Sequence, residues 1–130
     1  MTSPSSFSVA LPPVTQGELA VDASLSEGGL TIRLRGTADL RSRDFVDGYL
    51  PTVHDEALRS GAAEVRVDFR ELEFMNSSCF KSFVTWISRL KQLEPARRYK
   101  IRFLSSPTAH WQKRSLHALS LFEPDLVAVE

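Results

Sequence analysis

Between Glu73 and Phe80 the sequence reads EFMNSSCF, the point where a strand-like run hands over to a helix-like one. Upstream, Val65-Arg66-Val67-Asp68-Phe69 alternates apolar and polar residues, the mark of a half-buried strand. Downstream, Phe80, Phe83, Val84, Ile87 and Leu90 recur at i, i+3, i+4, i+7 and i+10, which puts them on one helical face. Cys79 falls within that stripe and Ser78 points away from it. Asn76-Ser77-Ser78 therefore sits at a helix start, where a polar cap is worth about 1 kcal/mol. The same position leaves amide N–H groups unpaired at the positive end of the helix dipole, a setting that favours a phosphate carried on serine. Such a group would add roughly 1.5 to 2 negative charges to the surrounding surface. Local spacing admits both a cap and a modified site.

Working outward, Leu19–Leu25 and Leu30–Arg35 read as two strands joined by a turn at Glu27-Gly28-Gly29, a hairpin. Phe45, Tyr49, Val53 and Ala57 recur at helical spacing after the capping residues Ser42 and Asp44, and Gly61 closes that helix. Pro51 has no N–H to give to the carbonyl at position 47, so a kink or break is expected near 48–51. Pro95 ends the helix that begins in NSSCF. Tyr99–Leu104 forms a further strand, and Ser106-Pro107 opens a last helix with Trp111, Ser115, Leu119 and Phe122 facing inward. Leu126–Val129 closes the chain as a short strand. The order ββαβαβαβ predicts an α/β fold: one mixed, mostly parallel sheet with an N-terminal hairpin, packed with about three to four helices. Residues 1–16, rich in Ser and Pro, read as a flexible N-terminal arm, and residues 17–130 as one domain.

Composition excludes several function classes. Lys plus Arg equals Asp plus Glu at 16 each, so no global field recruits nucleic acid or an anionic membrane. The N-terminus lacks the charged start and apolar block of a signal peptide, and no apolar run approaches the ~20 residues of a membrane span. A single cysteine forbids an internal disulfide and fits a reducing, cytoplasmic setting. His54, His110 and His117 show no metal-ligand spacing, and there is no glycine-rich phosphate loop or Ser-His-Asp set. No cofactor, no metal and no intrinsic catalysis are expected. Cys79 admits two roles: a thiol activated by the helix start, or inert packing on an apolar stripe. Asp39, at the end of GTAD, either caps a turn or lines the functional edge of a parallel sheet.

From Gly29 to Glu130 the chain resembles a STAS domain, the fold of the bacterial anti-sigma factor antagonists. The matching landmarks are GLTIRLRGTAD, VRVDFRELEFMNSSCFKSF, YKIRFLSSP and SLHALSLFEPDLVAVE. In those antagonists a strand leads to an Asp-Ser-Ser-Gly-like motif whose first serine is phosphorylated by a partner kinase that is also an anti-sigma factor. By that register the resemblance implies Ser77 as phosphoacceptor, with Ser78 second; Asn76 stands where the family usually has aspartate and Cys79 where it has glycine. It further implies a partner surface drawn from Asp39, Asn76, Ser77, Ser78, Cys79, Lys81 and Ser82. The partners implied are an ATP-binding serine kinase or anti-sigma factor and a PP2C-type phosphatase, with the chain itself a monomer or weak dimer. The alternative on the same fold is a non-switching scaffold or a sensor of a small ligand, a nucleotide or lipid.

Overall fold

A computed structural model describes residues 13–26 and 28–130. Six strands, β1 (Val14–Gln16), β2 (Leu19–Ser26), β3 (Gly29–Ala38), β4 (Glu64–Met75), β5 (Lys100–Leu104) and β6 (Val127–Val129), form one sheet in sequence order. The first three are antiparallel neighbours; β3 to β6 are parallel. Three helices, α1 (Arg43–Ser60), α2 (Ser77–Lys91) and α3 (His110–Phe122), fill the connections after β3, β4 and β5. This is the mixed sheet with an N-terminal hairpin that the element order predicts.

Each crossover steps the same way along the sheet, so right-handed connections place all three helices on one face. Residue parity agrees. Ile32, Leu34, Val65, Val67, Phe69, Ile101 and Phe103 share that face and are buried. The opposite face carries Arg33, Arg66, Asp68 and Arg102, laced into ion pairs with Glu64 and with one another: Arg33–Asp68 at 3.8 Å, Arg66–Glu64 at 3.0 Å and Arg102–Glu64 at 3.2 Å.

The boundaries differ from expectation in four places. Val14–Gln16, within the segment assigned to the arm, pairs with β2 as an edge strand; residues 1–12 lie outside the described residues. α1 runs through Pro51 without a break and ends, as expected, at Gly61 in the left-handed region, φ 69°. β4 continues six residues past Phe69, paired with β3 through two register shifts. α3 starts at His110, and its inner face is Gln112, Leu116 and Leu119, leaving Phe122 47% exposed. Gln112 sets that rotation: its amide donates to the carbonyls of Phe69 (2.7 Å) and Leu72 (2.8 Å) and accepts from the Ser106 N–H (2.8 Å). These bonds satisfy backbone groups freed where β4 changes register.

A buried polar cluster ties α1 and α2 to the sheet. The Tyr99 hydroxyl accepts from the Trp86 indole N–H at 2.7 Å and lies 2.6 Å from His54 Nδ1. Burial raises the phenol's pKa and keeps it protonated. Tyr99→Phe strands two buried polar groups at once. Urea denaturation is expected to show a loss of about 2–4 kcal/mol, and a loss under about 0.5 kcal/mol would contradict the assignment.

Candidate functional site

β3 and β4 finish side by side, Ala38 opposite Met75, and the Asn76 N–H donates to the Ala38 carbonyl at 2.7 Å. That pairing brings the turn after β3 against the start of α2, so Asp39 and Asn76, far apart in sequence, sit at one end of the sheet. The Cys79 thiol reaches across to the Asp39 carbonyl at 3.5 Å.

Asn76 is the N-cap of α2. Its backbone is extended (φ −66°, ψ 148°), its side-chain oxygen accepts from the Ser78 N–H at 2.8 Å, and its carbonyl accepts from Cys79 and Phe80. The cap is thus made by Asn76, which leaves both serine hydroxyls out of it. Ser77, the first residue of the helix, is exposed, and its hydroxyl has no hydrogen-bond partner among the described residues. Ser78 is half-buried. Among the described residues no histidine or carboxylate lies in hydrogen-bond contact with Ser77 to activate it as a nucleophile.

Asp39 caps a single 3₁₀ turn, Leu40–Ser42, through the Arg41 N–H at 2.9 Å, and holds the Arg41 guanidinium at 2.8 Å. The Arg41 side chain holds the Asp39 carboxyl below the usual carboxylate range. Cys79 is fully buried; burial, with Asp39 and Asp47 adding to it, pushes its thiol pKa up, which matches the packing role. Ser82 is also buried, and its hydroxyl donates to the Asp47 carboxylate on α1, so it joins two helices. Lys81 is exposed one turn beyond Ser77, with no ion-pair partner among the described residues.

Of the seven residues the sequence puts on the surface, Ser77 and Lys81 are exposed, Asp39, Asn76 and Ser78 are half-buried, and Cys79 and Ser82 lie beneath. Leu40 and Phe74, 63% and 48% exposed at this same end of the sheet, escape sequence reasoning. Phe74 lies between Glu73 and Met75 near the end of β4 and faces away from the core, opposite to buried Met75. Leu40 carries a signal: an apolar residue between Asp39 and Arg41, in a segment too short to have a buried face. Among the described residues no helix is long and apolar enough to cross a membrane, and no group of three or more His, Cys, Asp or Glu side chains is placed to hold a metal ion.

No protein-family model matches the chain, and no curated protein matches it significantly in sequence. Solved structures do match. An anti-sigma factor antagonist from Mycobacterium paratuberculosis superposes with a TM-score of 0.62 over 88% of this chain and 90% of its own, at 12% identity. The anti-sigma factor antagonist SpoIIAA in its unphosphorylated form gives 0.52 at 22% identity, over 73% of this chain and 80% of its own. The phosphorylated form of SpoIIAA, a Bacillus cell fate determinant, gives 0.54 at 23% identity over 85% and 91%. On these superpositions, and with its hairpin-led, mostly parallel sheet, the chain has the STAS fold of the anti-sigma factor antagonists.

Proposed function

We propose that this chain is a bacterial, cytoplasmic regulatory protein that acts by binding, as an anti-sigma factor antagonist does, with Ser77 as its switch. The observation that carries this reading is the uncapped, exposed Ser77 hydroxyl on the first turn of α2, beside the Asp39 turn. Unmodified, the chain docks on an ATP-binding serine kinase of the anti-sigma type through this end of the sheet. The kinase supplies ATP and Mg²⁺ and phosphorylates Ser77; a PP2C-type phosphatase reverses it. Exposure supports Ser77 over Ser78. In this scheme the kinase and the phosphatase supply the catalysis, and the chain acts by binding.

Leu40 gives a direct test of the docking face. An apolar side chain left 63% exposed on the 3₁₀ turn contributes little to folding and is free to bury against a partner. Leu40→Ser is expected to leave the melting temperature unchanged and to weaken binding to the cognate kinase by about ten-fold or more, measured by calorimetry. Unchanged affinity would place the partner elsewhere on the molecule.

A further inference from the structure

α1 and α2 follow parallel strands and lie side by side, and between them runs a cleft of about 330 Å³, at the lower end of the size range of small-molecule sites. Facing stripes line it at helical spacing: Asp47, Leu50, Pro51 and His54 from α1, and Ser82, Thr85, Trp86 and Arg89 from α2. The two ends differ. At one, the Asp47 carboxylate is already engaged by the Ser82 hydroxyl and lies 3.8 Å from the Arg43 guanidinium. Seven residues on, about 10 Å along the helices, stand His54 and Arg89.

His54 is only 8% exposed, yet one of its ring nitrogens has no protein partner among the described residues. The indole of Trp86 can only donate, so the Tyr99 oxygen accepts from it and gives its own hydrogen to His54 Nδ1. In the neutral ring this arrangement puts the proton on Nε2, and burial favours the neutral ring by lowering its pKa. The ring is largely buried and held by the Tyr99 hydroxyl, and its second nitrogen, without a protein partner among the described residues, is open to solvent in the wall of the cleft. The charged groups acting on it are Arg89, Arg97 and Asp55, two cations to one anion. Neither Arg89 nor Arg97 has an ion-pair partner among the described residues.

We propose that this cleft binds a small organic anion, its carboxylate or phosphate oxygens held by His54 Nε2–H and Arg89 and a compact apolar body laid against Leu50, Pro51 and Trp86. An oriented donor that shares a cleft with a guanidinium is suited to a bidentate anionic group. The apolar middle of the cleft limits the body to roughly one ring. The site is separate from Ser77, and the proposal does not depend on phosphorylation there.

The test is a titration of the full ¹⁵N-labelled chain with sodium benzoate, phenyl phosphate and neutral benzyl alcohol, followed by NMR. Saturable shifts of the His54 ring and of the Leu50 and Arg89 amides are expected with at least one of the two anions. That anion should bind about ten-fold tighter than benzyl alcohol. The stronger of the two anions identifies the favoured head group. Arg89→Gln, on an exposed helix position that does not threaten folding, should weaken the anion about ten-fold and leave benzyl alcohol unchanged. The proposal is overturned if neither anion gives saturable shifts at these residues, or if Arg89→Gln binds both kinds of probe as the wild type does.

Discussion

Gly36→Ala is expected to destabilise the protein by at least about 3 kcal/mol and to lower its urea midpoint accordingly. Gly36 sits near the end of β3 at φ +93°, a backbone conformation that a side chain strains. A Cβ there would also collide with the backbone carbonyl of Glu18, the residue before β2. That carbonyl cannot move freely, because it accepts the Thr37 N–H at 3.0 Å and the next pair, Leu19 with Gly36, belongs to the β2–β3 ladder. Relief would therefore cost ladder hydrogen bonds as well as strain. Gly48 provides the contrast. It lies in α1 with open space around it, and Gly48→Ala is expected to raise stability by about 0.5–1 kcal/mol. Equal effects at the two sites would contradict the conformation assigned to Gly36.

A phosphoryl group on Ser77 is expected to leave the fold intact and to weaken binding of the unmodified chain's partner by at least about 100-fold. Locally the modification is tolerated. It would sit at the positive end of the α2 dipole with Lys81, one turn on, unpaired among the described residues and able to approach it. Asn76 keeps its cap, because Ser78 rather than Ser77 supplies the bonded N–H. The cost falls on the interface, where a dianion would be buried against a surface that had accommodated a hydroxyl. Ser77→Glu carries one charge and a different shape, so its effect should be smaller but in the same direction. Calorimetry with the cognate kinase measures both, with circular dichroism melts as the check on folding.

The sheet, its hairpin and its three helices were legible because each rests on a strong periodicity. Ile32 and Leu34, Val65 and Val67, and Phe83, Ile87 and Leu90 occupy the buried face that their spacing predicts. What the sequence hid has a common cause. Bulges in the β3–β4 pairing change parity, so Leu72 and Met75 point inward three residues apart and the second half of β4 does not alternate. Pro51 signals a break by its missing N–H, yet α1 continues, held on both sides by Leu50, Val53 and Ala57 packed into the core. The inner face of α3 departs from its apolar spacing because a polar residue, Gln112, is the one turned inward to serve backbone carbonyls. At the site, spacing marks a cap within Asn76-Ser77-Ser78 and packing as one of two roles for Cys79, and the structure assigns the cap to Asn76 and buries Cys79. The approach of Asp39 to Asn76 could not be read from spacing, since it depends on the register of two strands.

Intact-mass spectrometry after incubation with ATP, Mg²⁺ and the cognate anti-sigma-type kinase tests the switch most directly. Wild type and Ser78→Ala should each gain one phosphoryl group, and Ser77→Ala should gain none. A phosphoryl group that persists in Ser77→Ala and disappears in Ser78→Ala would move the switch to Ser78, and no mass gain in any of the three would contradict phosphorylation as the control of this protein.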